Sequence, residues 1–162
     1  FWSLRLAESM DLYRIAKIPY HRDLTGYGAR LMGGRWNSEG VAVVYTSSSR
    51  ALAALETIAN TPIRYLTGKG FVIIELSLPD DLLVHEILED SLPSGWESHP
   101  AVPSLARMGD AWVEGMRTPL MKVPSAVMHS ESNYLINPSH PRSSEISILR
   151  MEPWMPDERF TK

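Results

Sequence analysis

The alternation of apolar and polar positions divides the chain into short extended runs and two amphipathic helices. "DLYRIAKI" (residues 11–18) alternates as a strand does, and Pro19 ends it. Residues 21–40 are glycine-rich and predict mostly irregular backbone. "VAVVYT" (41–46) is a β-branched run of the kind found in buried strands. The serines of "SSSR" then offer N-caps for a helix over "ALAALETIAN", closed by Pro62. On it Ala51, Leu52, Leu55, Ile58 and Ala59 are spaced for one face, with Glu56 beside Leu52 at the border of the apolar stripe.

"FVIIELSL" (71–78) is the strongest strand pattern. Residues 79–103 read as a long connection with turns at Asp80-Asp81 and Pro93-Ser94-Gly95. "SLARMGDAWVEGMR" predicts a second helix, presenting Leu105, Met108, Trp112, Gly115 and Met116. "LMKVPSAVM", "SNYLINP" and "SEISILRM" are extended, and the tail from Pro153 is polar. Strands outnumber helices without alternating with them, so the pattern predicts an α+β fold over a doubly wound α/β sheet.

The 162 residues suit one domain, and no repeat interrupts them. The domain is expected over 10–162, with 1–9 ("FWSLRLAES") read as an N-terminal extension or an expression remnant outside the fold. The formal net charge of −3 argues against a general nucleic-acid binder, which needs a basic face. There are no cysteines, which suits a reducing cytoplasm and excludes thiolate zinc sites. No apolar run approaches the roughly 20 residues of a membrane-spanning helix. A homodimer is compatible with the chain, although no helical seam demands one.

Among chemistry-bearing residues, His85-Glu86 lacks the second His of a metal-binding helix, and His129 and His140 sit in loop-like contexts. Ser125 has no G-x-S-x-G elbow, although a triad can be scattered along a chain. The glycines of "GYGARLMGG" fit neither the dinucleotide fingerprint nor the P-loop. In "LMGGRWNSEG" two glycines permit close backbone approach beside Arg35, whose guanidinium can take a phosphate in bidentate fashion. Taken alone, that stretch reads rather as a turn with a surface Arg and with Trp36 as a core anchor. Tyr45 ends a buried-looking strand, where its ring can stack and its hydroxyl bond. Glu56 lies at an apolar rim, where a carboxylate can bind sugar hydroxyls and stabilise an oxocarbenium ion.

In combination these residues carry more. "LYRIAK", "GGRWN", "VVYTSSSRALAALE" and "VPSAVM…NYLINPSHP", in this order from about Leu12 to about Trp154, resemble the RES domain family. The resemblance implies an ADP-ribosyltransferase-like fold: curved, antiparallel-rich β-sheets forming a cleft, with flanking helices. It implies a bacterial, cytoplasmic toxin that consumes NAD as substrate, needs no metal, and is partnered by an Xre-type helix-turn-helix antitoxin.

The family's Arg, Tyr, Glu and Ser fall on Arg35, Tyr45, Glu56 and Ser125, and Arg14 matches a further position. On this reading Glu56, Tyr45 and Arg35 are catalytic. Arg35 and Arg14 would hold the pyrophosphate, Tyr45 would pack on nicotinamide or its ribose, and Ser125 would bond the ribose or amide. Asn133 and Asn137 belong to the matching block, with Asn137 a further NAD-binding candidate. Water, phosphate or a protein side chain would accept the ADP-ribose. Two other readings stay open: a non-catalytic partner-binding module, and a serine hydrolase using Ser125 with His129 or His140 and Glu56.

Overall fold

A computed structural model describes residues 2–7, 10–68 and 70–161. Its strands are β1 (Trp2–Leu6), β2 (Asp11–Lys17), β3 (Val44–Ser47), β4 (Phe71–Ser77), β5 (Leu83–Ile87), β6 (Leu120–Pro124), β7 (Ser132–Ile136) and β8 (Ser147–Trp154). They form one sheet in the order β1-β5-β6-β7-β3-β2-β4-β8, antiparallel at every described pairing except β5 with β6. Helices α1 (Tyr27–Met32), α2 (Arg50–Asn60), α3 (Ile63–Leu66) and α4 (Pro103–Gly115) flank it. The expected α+β, antiparallel-rich architecture is what the chain adopts.

Strand alternation sorts side chains onto two cores. Leu12, Ala16, Val44, Ile74, Leu76 and Ile136 fill one. Trp36, Trp96, Leu105, Trp112, Met121 and Leu135 fill the other, where α4 contributes to the packing. Ser49 caps α2, its side chain accepting from the Leu52 N–H at 3.0 Å, as the serine cluster predicts.

Several expectations are revised. The segment set aside as an extension includes β1, whose Trp2–Leu6 pair in register with Ile87–Leu83; Phe1, Glu8 and Ser9 of that segment lie outside the described residues. The connection over 79–103 contains β5. Its alternation is masked by Glu86, a buried carboxylate answered by Lys122 at 2.7 Å and Arg5 at 2.6 Å. Within the stretch read as irregular, α1 is a six-residue helix with no buried residue, so it leaves no apolar stripe to read.

The helix faces are rotated from expectation. On α2 Leu52 and Ala53 are buried while Ala51 and Ala59 are exposed. On α4 the buried set is Leu105, Gly109 and Trp112, and Met116 is the left-handed residue that ends the helix. Gly109 is required there: a Cβ on it would lie 1.7 Å from the Trp36 carbonyl oxygen. Finally, β8 runs through Pro153 to Trp154, on an outer strand where a missing N–H costs no ladder bond.

Candidate active site

The sheet has a seam. β3 and β2 share one register pair, Tyr13 opposite Ser47, whereas β2 and β4 are paired from Asp11 to Lys17. A cavity of about 780 Å3 opens along this seam. Such a volume lies within the roughly 300–1,000 Å3 of small-molecule sites. Tyr13 and Arg14 line it from β2, Gly34 and Arg35 from the loop after α1, Tyr45 from β3, and Glu56 from α2.

The loop carrying Arg35 is built by hydrogen bonds rather than by bulk. Gly33 takes a positive φ, +67°, with extended ψ, a conformation open to glycine, and the Gly34 N–H donates to the Asn37 carbonyl at 2.9 Å. A Cβ on Gly34 would lie 2.7 Å from the Tyr45 hydroxyl oxygen, so only glycine lets the loop come this close. The fully buried Asn37 donates to the carbonyls of Ala29 and Val41 at 2.8 and 2.9 Å and accepts from the Tyr45 hydroxyl at 2.7 Å. That hydroxyl in turn accepts from the Trp36 N–H at 3.0 Å. Burial pushes the Tyr45 phenol well above its usual value, which keeps it a protonated donor. Asp110 on α4 completes the loop, accepting from the Ser38 N–H at 2.9 Å and from its hydroxyl at 2.5 Å.

Arg35 itself donates through Nη1 to the carbonyls of Trp96 and Ser98 at 2.7 and 3.1 Å. Among the described residues Nη2 and Nε have no hydrogen-bond partner, so an oriented guanidinium keeps donors for an anion. Arg14 reaches the same cavity while its Nη1 donates to the Asp23 carbonyl at 2.8 Å. Burial lowers its pKa, with Asp23 opposing, but a guanidinium stays cationic at neutral pH.

Glu56 is held from below. The Ser125 hydroxyl donates to Oε1 at 2.7 Å and Asn133 Nδ2 donates to the same oxygen at 2.5 Å. Ser125 is fully buried, and its oxygen accepts from the N–H groups of Val127 and Met128 at 3.2 and 3.0 Å. Among the described residues Oε2 has no hydrogen-bond partner. The carboxylate therefore presents one braced and one open oxygen to the cleft.

Arg14, Arg35, Tyr45 and Glu56 thus converge on one cavity. Ser125 occupies a different place from the one expected: it lies behind Glu56 and reaches the cleft only through that carboxylate. Asn137 is not at the cleft. Its amide nitrogen donates to the Val113 carbonyl at 3.1 Å and its oxygen accepts from the Ser139 N–H at 3.0 Å, so it ties the end of β7 to α4. Sequence reasoning missed Asn37 and Ser47 as members of the site. Both carried a signal: Asn37 closes the glycine turn, and Ser47 lies two residues from Tyr45 on the same strand face.

The hydrolase arrangement does not form. Ser125 donates to Glu56, His129 lies against Trp96 with ring centroids 6.4 Å apart, and His140 Nδ1 accepts from the Arg142 N–H at 3.2 Å. Among the described residues no helix is long and apolar enough to cross a membrane, and no group of three or more His, Cys, Asp or Glu is placed to hold a metal ion.

Comparison with known proteins gives one family. Residues 11–161 match the model of a family described as "RES domain". A protein of Sphingobium sp. named "Prs ADP-ribosylating toxin" is 39% identical over 86% of this chain and 88% of its own length. A "Toxin Res" of Yersinia enterocolitica is 34% identical over 89% of this chain and 93% of its own, and another of Pseudomonas putida is 33% identical over 93% and 99%. Among solved structures, a chain of the M. tuberculosis MbcT–MbcA toxin–antitoxin complex superposes with a TM-score of 0.72, covering 93% of this chain and 86% of that one at 19% identity, which shows a common fold.

Proposed function

The chain belongs to the RES domain family, and on that premise we propose that its cleft binds NAD as substrate and breaks the bond between nicotinamide and ribose. The observation that carries this reading is Glu56, a carboxylate braced at Oε1, open at Oε2 and set in one cavity with two guanidinium groups. Arg35 and Arg14 suit a pyrophosphate, and the Tyr45 ring gives the nicotinamide end an aromatic wall. As the C1′–N bond breaks, its electron pair leaves with the pyridinium nitrogen, releasing neutral nicotinamide and leaving positive charge on the ribose. A carboxylate fixed beside that charge lowers the barrier by electrostatics and needs no strong acid, because the leaving group is already cationic. The open oxygen of Glu56 accepts from a ribose hydroxyl or orients the acceptor, and the acceptor loses a proton as its new bond to C1′ forms.

Cleavage is common to every acceptor. Water or phosphate yields NAD depletion. A protein side chain yields ADP-ribosylation, which the printed name of the Sphingobium relative favours. In either case the chain acts as the toxin of a toxin–antitoxin pair, in the cytoplasm where NAD is available. An Xre-type antitoxin silences it by covering the cleft.

The test is release of nicotinamide from NAD by the purified chain, with and without phosphate or cell lysate. Glu56→Ala and Arg35→Ala should abolish or strongly reduce it. Label from NAD appearing on a discrete lysate protein identifies transfer. Absence of nicotinamide under all of these conditions refutes the proposal.

A further inference from the structure

Ser47 sits where three structural connections meet. Its backbone is opposite Tyr13 on β2, the one register pair across the seam, and opposite Asn133 on β7. Its side chain is almost fully buried and its hydroxyl donates to Asn133 Oδ1 at 2.7 Å. Asn133 Nδ2 then donates to Glu56 Oε1 at 2.5 Å. Three elements thus contribute one directed chain of donors, Ser47 to Asn133 to Glu56, whose last acceptor is the carboxylate that faces the cleft.

We infer that Ser47 is a positioning residue, fixing the Asn133 amide that holds Glu56. An Asn side chain turns in a broad, two-fold torsional well, so its bond to Glu56 leaves the amide plane loosely defined. The hydroxyl of Ser47 supplies the second point. Cross-strand neighbours hold their Cβ atoms about 4.5–5.5 Å apart, which places this donor rigidly. A donor on the amide oxygen also polarises the amide, strengthening the N–H that Glu56 accepts. Without it, Asn133 Oδ1 would lose its hydrogen-bond partner among the described residues. Ser125 braces Glu56 from the loop after β6, and the Ser47–Asn133 pair braces it from the sheet. Together they keep Oε1 occupied and Oε2 directed at the substrate. The catalytic consequence rests on the NAD reading, whereas the geometry does not.

A double-substitution cycle tests the inference with Ser47→Ala, Asn133→Ala and both together. Nicotinamide release gives kcat and KM, and the carboxyl 13C chemical shift of Glu56, read at one fixed neutral pH, reports how its oxygens are hydrogen-bonded in the same proteins. Ser47→Ala should lower kcat about tenfold, as loss of one orienting hydrogen bond would. KM should change by less than about twofold, because substrate binding is left in place. The Glu56 resonance should move, since the amide that donates to Oε1 is held less firmly. In the Asn133→Ala background Ser47→Ala should add nothing to either readout. Additive effects, or an unchanged kcat and resonance in Ser47→Ala, would overturn the inference. If the unsubstituted chain releases no nicotinamide, the NAD reading falls by itself and the resonance cycle alone decides: a displacement with Ser47→Ala that vanishes without Asn133 upholds the relay, and additivity or no displacement overturns it. Asn133→Asp is a second variant that nearly keeps the side-chain volume. It replaces the amide that donates to Glu56 with a carboxylate that cannot, so the Glu56 resonance should move there as well, and an unmoved resonance would show that the contact is not made.

Discussion

Tyr45→Phe separates two roles that the same side chain could play. The substitution keeps the ring that lines the cleft and deletes only the hydroxyl. That hydroxyl is already committed, donating to Asn37 at 2.7 Å and accepting from the Trp36 N–H at 3.0 Å. Asn37 and Trp36 are 1% and 2% exposed, so water cannot replace the missing partner without rearrangement. A buried polar group left unpaired costs about 1–3 kcal/mol, and here there are two, although Asn37 keeps its other bonds. The expected loss is about 2–4 kcal/mol. With a urea slope on the order of 2 kcal/mol per molar, the unfolding midpoint should fall by about 1–2 M. NAD affinity, measured by calorimetry in a Glu56→Gln background under conditions where both proteins are folded, should change little. A midpoint equal to that of the unsubstituted chain, with NAD binding lost, would mean that the hydroxyl serves the ligand and that the loop is held by something else.

Other consequences follow from packing and charge. Gly109→Ala should destabilise by about 2–3 kcal/mol despite the better helix propensity of alanine, because its Cβ meets a backbone carbonyl 1.7 Å away that cannot swing aside; circular-dichroism melts check this, and an unchanged Tm would refute it. Burial alone would raise the Glu86 carboxyl, but the bond from Lys122 and the charges of Lys122 and Arg5, with Ser3, hold it below its ordinary value. A depressed carboxylate adds stability that is present above the unfolded pKa and is lost as pH falls through the folded one. The stability gap between the unsubstituted chain and Lys122→Met should therefore be widest near neutral pH and narrow as pH falls below 4.5, read by urea titration at each pH. A gap independent of pH would refute the assignment.

What could be read from the sequence was decided by how locally each feature is specified. β4 and the serine-capped α2 are written in consecutive residues, by an apolar run and by a cap, and both form as the pattern predicts. The β5 strand is specified by a distant partner: Glu86 breaks the apolar alternation and is tolerated because Lys122 and Arg5 arrive from other strands. No window of sequence contains that compensation. The site divides in the same way. Arg35 and Glu56 carry charges that announce chemistry, and both reach the cleft. Asn137 and Asn133 looked alike in one block, yet their even spacing of four along β7 and its end leads to different fates. Asn133 faces Glu56, while Asn137 lies past the strand and is consumed by α4 and its own turn. Trp36 was legible as a packing anchor because a large apolar ring has few other uses, and it is 2% exposed in the core.

The seam explains why so many polar side chains converge on one carboxylate. A single register pair between β2 and β3 is weak backbone definition for a site that draws residues from both sides. α2 bridges it. At its first turn Arg50 bonds Glu152 at 2.5 Å and Glu75 at 3.5 Å, tying the helix to β8 and β4, and its guanidinium lies over the Tyr13 ring with 5.8 Å to the centroid. Two turns later Glu56 bonds Ser125 and Asn133, tying the same helix to the opposite half of the sheet. Surface ion pairs contribute little to stability, but a network fixed to the buried Glu75 sets direction. The helix that carries the proposed catalytic group is thus also the strut between the halves, with Glu56 held on the half that carries Arg35 and with Arg14 on β2 across the seam. A ligand that contacts Arg14 as well as Glu56 and Arg35 would therefore span the seam.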